Sequence, residues 1–387
     1  MPKYQELSDV LPPLILGVGV FNHQFNKDPF HLPTNAIVHK ALTYGICAFD
    51  TSPYYGPSEE ILGRALATPE VKNSFPREDY YIITKVGRIA GSEFDYSPDW
   101  IQYSVKRSLE RLNTTYLDVV YCHDVEFVSK EEVLIGVKEL RRIRSKSNAV
   151  RNVGISGYPV DILCELAEMV LEETGVPLDI VQSYCHQTLQ NTKLNAAAVQ
   201  RFKNAGVKIV PNASPLGMGL MRSAGVPVGS MGDFHPSPPG LRNACLDAAK
   251  TCEAHDERLE TVALRYAIET WARSGSSVGT KGPLPTATLH DGTVASEKEK
   301  LGVTVLGCSY VKELDEAVDI WRSLLEDLGG TQYTPNPPVG EKDWTIERRK
   351  HVEELAKSAR EALGDWIDQG WDSPSKDFVN THVRQGP

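Results

Sequence analysis

Short runs of aliphatic and β-branched residues alternate with segments whose apolar positions recur every three or four residues, from near the start of the chain to about residue 327. The runs at Leu14 to Val18, Ile46 to Asp50, Tyr80 to Lys85, Leu117 to Cys122, Asn152 to Ser156, Asp179 to Gln182, Val207 to Val210 and Val303 to Leu306 read as strands. Between them the helical period predicts helices at Asn35 to Tyr44, Ser58 to Ala67, Pro98 to Leu112, Lys130 to Arg144, Val160 to Glu173 and Leu194 to Ala205. Another, Lys312 to Leu325, follows the last strand, and two more lie before it, near Leu241 to His255 and Arg258 to Arg273. In Pro98 to Leu112 the residues Ile101, Val105, Leu109 and Leu112 share one face, which must pack inward.

Strands that alternate with helices predict an α/β fold, a parallel (β/α)8 TIM barrel, because the crossover helices then cover strands buried on both faces. An open doubly wound sheet is the competing architecture, but its dinucleotide turn would follow the first strand, where Gly17-Val18-Gly19-Val20-Phe21 lacks the third glycine. Two additions are expected. A long loop before strand eight, Ser274 to Lys300, is rich in Gly, Ser, Thr and charge and predicts a mobile surface segment rather than core. Residues 1–328 then form the barrel, and 329–387 a C-terminal helical extension. Its helix should run from near Thr345 to Leu363, with Ile346, Val352, Leu355 and Leu363 as inner stripe and Trp344, Trp366 and Trp371 as anchors.

Charge narrows the partners. The 41 Lys and Arg against 51 Asp and Glu give a formal charge of −10, which repels phosphate backbones, so no nucleic acid partner is expected. No apolar run approaches the roughly 18 residues needed to span a bilayer, and Met1-Pro2-Lys3-Tyr4-Gln5 lacks a secretion pattern, which predicts a cytoplasmic protein with no membrane partner. The seven cysteines are scattered with no C-x-x-C pair, as expected of reduced, packed thiols. No histidine spacing suggests a metal site.

In such a barrel the chemistry sits where strands end. Asp50, Lys85 and His123 close three consecutive predicted strands, with Tyr54 and Tyr55 just beyond the first of them. Each alone has an ordinary reading, as a turn aspartate, a solvated lysine or a surface His-Asp pair. Together they suit proton transfer, because a phenol needs a nearby cation to act as acid or base near neutrality.

These residues resemble the aldo-keto reductases. Asp50-Thr51-Ser52-Pro53-Tyr54-Tyr55-Gly56-Pro57-Ser58-Glu59-Glu60-Ile61-Leu62-Gly63 is similar to that family's D-T-A-x-x-Y-G-x-x-E-x-x-x-G signature, Ile82-Ile83-Thr84-Lys85 to its lysine strand, and Leu117 to His123 to its histidine strand. The resemblance implies a catalytic tetrad of Asp50, Tyr55, Lys85 and His123, with Tyr55 transferring the proton. It implies a nicotinamide cofactor held by Ser156 and Gln182 at the carboxamide, by Ser214, Leu216 and Gly217 around the pyrophosphate, and by Ser309 and Glu316 at the adenosine. Gly157 stands where Asn is usual, and Ala213 where some members have a stacking aromatic. The segment after the eighth strand has only Lys312 as a base, followed by acids, which favours NAD over NADP, NADP remaining possible. Val181 to His186, Asn212 to Leu220 and Phe234 to Pro238 resemble the branch that oxidises the anomeric carbon of aldoses such as D-arabinose and L-galactose to lactones, feeding synthesis of ascorbate or its five-carbon analogue. Phe21, Tyr54, His186 and His235 are then the expected aldose contacts. An NADPH-dependent reductase of aldehydes or ketones and a nucleotide-binding regulatory subunit remain the alternatives, and no protein partner is identified.

Overall fold

In the computed structural model, which describes residues 5–285, 300–328 and 342–382, eight parallel strands close into a barrel. They are β1 (Leu14–Gly17), β2 (Ala48–Asp50), β3 (Tyr81–Val86), β4 (Leu117–His123), β5 (Val150–Gly157), β6 (Ile180–Tyr184), β7 (Asn212–Ala213) and β8 (Thr304–Gly307), each paired to its sequence neighbours, with β8 returning to β1. Alternate side chains explain why the strands read as continuous apolar runs. Ile15, Ala48, Ile83, Val119, Tyr121 and Ile180 fill the barrel interior. Their neighbours Leu14, Leu16, Phe49, Ile82, Val120 and Val181 face the helical layer. A two-stranded hairpin, Arg88–Ala90 with Glu93–Phe94, rises from the end of β3.

The seventh strand lies later than its sequence pattern predicts. Residues 209 and 211 still accept bonds from Val181 and Ser183, at 3.1 Å each. However, Val210 turns its N–H to Val278 and Pro211 has none to give, so regular pairing begins only at Asn212. The segment from Ser274 to Lys300 also departs from a loose loop in its described part. Val278 is fully buried, and Thr280 bridges Leu301 while its hydroxyl donates to the Leu11 carbonyl at 2.6 Å. Residues 286–299 of that segment lie outside the described residues, as does the stretch 329–341.

The extension helix runs Ile346–Leu363, with the Thr345 side chain accepting from the Arg348 N–H at 3.2 Å as its cap. Val352, Leu355, Ala356, Ala359 and Leu363 share an apolar cluster with the helices Pro239–Glu253 and Leu259–Ser274. Ile346 is not in the stripe and is 62% exposed, because six residues before Val352 places it on the far side of the helix. Beyond the helix, the chain crosses the end of the barrel where the strands finish. Asp368 N–H bonds the Gln190 carbonyl at 2.9 Å, Trp371 stacks on Tyr158 at 4.5 Å, and the Ser373 hydroxyl reaches Glu126 at 2.9 Å. Phe378 meets the stacked rings of Phe94 and Phe127 edge-on, and the Asn380 side chain bonds both backbone groups of Phe94. No helix among the described residues is long and apolar enough to cross a membrane.

Candidate active site

Three strand ends bring Asp50, Lys85 and His123 together at the finishing edge of β2, β3 and β4. Lys85 Nζ lies 2.6 Å from Asp50 Oδ1 and donates to the Thr51 carbonyl at 2.9 Å. The loop after β2 turns through a bond from Tyr55 N–H to the Ser52 carbonyl, 3.0 Å, and lays the Tyr55 ring over the ammonium, 4.9 Å from its centroid. Gly19 makes room, since a Cβ there would sit 3.2 Å from that ring. The His123 imidazole stands nearly perpendicular to Tyr55, ring centres 5.7 Å apart.

Burial sets the charges. It works against the Lys85 ammonium, but Asp50 and Tyr55 outweigh it, and its pKa ends raised. Burial likewise raises the Asp50 carboxyl, with Lys85 opposing. We take the pair as charged, because two oxygens within 2.9 Å of Nζ suit an ammonium. Tyr55 is pushed up to about 12 by burial, only partly offset by Lys85, so the phenol keeps its proton at neutrality. Burial drives His123 down to about 3, leaving a neutral imidazole.

Around His123 lies a set of contacts that the strand-end reading passed over. Ser52 Oγ is 3.1 Å from Nδ1, and the Asp124 carboxylate is 3.5 Å from Nε2. Asp124 is buried, not at the surface, and pairs with Arg88, which also donates to the Tyr54 hydroxyl at 3.0 Å and covers that ring. The backbone of Asp124 is left-handed, φ 51°, and the Tyr96 hydroxyl donates to the His123 carbonyl. The only sequence trace of this network was the acid beside His123.

The expected cofactor positions separate into two groups. Ser156 and Gln182 are register partners on β5 and β6, and both Ser156 Oγ and Gln182 Oε1 are buried without a hydrogen-bond partner among the described residues. A carboxamide, with one acceptor and two donors, fits that unsatisfied pair. Gly157 carries no side chain for a local reason: a Cβ would come within 2.4 Å of the buried Glu126 carboxylate. After β7 the chain turns tightly, with positive φ at Ser214, Gly217, Met218 and Gly219, while Leu216 packs on the apolar cluster that the extension helix shares with Pro239–Glu253 and Leu259–Ser274. The adenosine-end residues already have protein partners. Ser309 Oγ accepts from Asn26 at 2.9 Å, and Glu316 pairs with Arg258 at 2.5 Å beside a cavity of about 290 Å3 that Trp344 and Arg348 of the extension also line.

The expected aldose contacts are unequally placed. Tyr54 stands beside Tyr55 and His123, at 6.1 and 5.9 Å between ring centres. His186 is buried against Tyr158 at 4.3 Å, its pKa lowered to about 4 by burial. Phe21 is fully buried in the main core and presents no accessible surface. Both nitrogens of His235 are engaged, with Gly217 O at 2.8 Å and Ser237 N–H at 3.2 Å, so it braces the loop after β7. Among the described residues no group of three His, Cys, Asp or Glu could hold a metal ion.

Comparison with known proteins meets this geometry. The model of the Aldo/keto reductase family matches residues 13–327. D-arabinose 1-dehydrogenase of Saccharomyces cerevisiae is 46% identical over 69% of this chain and 78% of its own length. L-galactose dehydrogenase of Arabidopsis thaliana is 33% identical over 73% and 84%. A glycerol dehydrogenase structure from Gluconobacter oxydans superposes with a TM-score of 0.53 at 18% identity, covering 94% of both chains, a likeness of fold.

Proposed function

Since the chain belongs to the aldo/keto reductase family, we propose that it oxidises the anomeric carbon of an aldose, D-arabinose, L-galactose or a close analogue, to the lactone, with NAD as hydride acceptor. The relatives named for D-arabinose, L-galactose and D-threo-aldose support the substrate class. The observation that carries the chemistry is the buried Lys85–Asp50 pair under the Tyr55 ring, facing His123. When bound, the nicotinamide supplies the electron-pair acceptor for the anomeric C–H bond.

The chain's own residues do the rest. Tyr55 accepts the anomeric hydroxyl proton, Lys85 stabilises the phenolate that must form first, and Asp50 keeps Lys85 charged. His123, neutral, hydrogen-bonds the reacting oxygen and fixes its distance from Tyr55. Ser156 Oγ and Gln182 Oε1 hold the carboxamide, and the turn from Ser214 to Gly217 holds the pyrophosphate. Tyr54 and His186 offer the sugar an aromatic wall and an imidazole.

Charge at the adenosine end supports NAD over NADP. The Glu313 carboxylate accepts from the backbone N–H groups of Ser309 at 2.7 Å and Tyr310 at 3.3 Å, so an anion already occupies the helix N-terminus where a 2′-phosphate would seek donors. Free cysteines, six of them buried, suit a reducing cytoplasm. The test compares initial rates with NAD and a panel of aldoses against NADPH and a simple aldehyde. Turnover with NAD and an aldose is expected, and faster NADPH-dependent aldehyde reduction would overturn the reading. Tyr55→Phe should keep cofactor affinity and lose about 10²- to 10⁴-fold in turnover.

A further inference from the structure

We propose that Ser52 is a positioning residue that fixes His123 in the tautomer bearing its proton on Nε2. Burial keeps the imidazole neutral, so it has a single N–H and two places to put it. Ser52 is fully buried, and its Oγ has two neighbours, the Tyr54 N–H at 3.1 Å and His123 Nδ1 at 3.1 Å. An amide N–H can only donate, so Oγ accepts there. If Nδ1 carried the proton, Oγ would accept a second time and its own hydroxyl hydrogen would have no acceptor among the described residues, a costly state for a fully buried hydroxyl. With Nδ1 bare, the hydroxyl donates to it and every group is satisfied.

The other side of the ring agrees. Asp124 Oδ2, at 3.5 Å, is too far from Nε2 for a hydrogen bond, yet its negative charge favours a proton on that nitrogen. Arg88 ties Asp124 to Tyr54, and the Tyr54 N–H returns to Ser52, so hydrogen bonds lead from Asp124 through Arg88, Tyr54 and Ser52 to the side chain of His123, its neighbour in sequence. The Nε2–H is thereby left as a donor for the oxygen on which Tyr55 acts. That last step rests on the dehydrogenase reading above, whereas the tautomer itself does not.

The experiment uses protein with 15N-labelled histidine and no substrate, reading two-bond proton–nitrogen correlations, with His123 assigned by the signals lost in His123→Asn. The wild type should show an unprotonated Nδ1 and a protonated Nε2, and Ser52→Ala should mix the tautomers. Initial rates with NAD and D-arabinose should show kcat lowered about tenfold in Ser52→Ala, the loss of one hydrogen bond, with the KM for NAD unchanged. A protonated Nδ1 in the wild type would overturn the proposal, as would a Ser52→Ala variant with unaltered tautomer and kcat. Absence of turnover on any aldose in a wild type showing the expected tautomer would count against the substrate reading alone.

Discussion

At the scale of single residues, the site is a contest between desolvation and charge. Burial alone would hold Tyr55 neutral, and the nearby ammonium is the main force opposing it. Replacing Lys85 by Met removes that opposition, so the Tyr55 pKa must rise further above about 12. Asp50, already raised by burial, then loses its counter-charge and takes up a proton. The proposed oxidation needs the phenolate, so the rising limb of log kcat/KM against pH should move to higher pH in Lys85→Met, with turnover at pH 8 down at least about 10²-fold. Rate profiles between pH 6 and 10 measure this, and coincident limbs would remove Lys85 from the proton path. That Asp50, Tyr55, Lys85 and His123 lie together was legible because each ends a strand or follows one. The Arg88–Asp124–Tyr54 contacts were not, since a pairing between residues 36 positions apart depends on the hairpin after β3, which no hydrophobic period marks.

At the scale of elements, the signature that revealed the site proves to contain structural as well as chemical positions. Glu59, in the helix Ser58–Leu66, is fully buried and accepts from the Thr84 hydroxyl at 2.7 Å, tying that helix to the strand that delivers Lys85. Gly63, one turn on, lets the helix touch the end of Pro98–Arg111: a Cβ there would lie 2.0 Å from the Arg111 carbonyl oxygen. Both residues are thus needed to set the angle of the helix that follows the Tyr55 loop. Gly63→Ala should force the two helices apart and destabilise the protein by about 1–3 kcal/mol or more, read as a lower midpoint in urea, with kcat falling as Lys85 shifts. An unchanged midpoint would show that the helices can slide freely. Helices were legible from their apolar stripes. The β7 boundary was not, because Val207 to Val210 has the composition of a strand, while Pro211 and the bond from Val210 to Val278 postpone regular pairing.

At the scale of the whole molecule, the extension and the barrel bury a titratable group between them. Glu126, in the turn after β4, accepts from the Tyr158 N–H at 3.0 Å and from the Ser373 hydroxyl of the crossing chain at 2.9 Å, while its other oxygen is buried without a partner among the described residues. Burial, with Asp124 adding to it, pushes the carboxyl up to about 8, so the folded protein holds it protonated at neutrality. The unfolded chain releases that proton near pH 4.3. Between those values folding must take up a proton, so stability contributed by the neutral acid is complete below about pH 4 and declines as pH rises towards 8, at up to about 1.4 kcal/mol per unit. Glu126→Gln keeps the accepting oxygen for Tyr158 and Ser373 but cannot ionise. Its urea midpoint should therefore match the wild type at pH 4 and exceed it at pH 8, by about 4–5 kcal/mol in unfolding free energy. Parallel stability curves for the two proteins across this range would mean that the carboxyl is ionised in the folded state and that the crossing chain does not seal it from water.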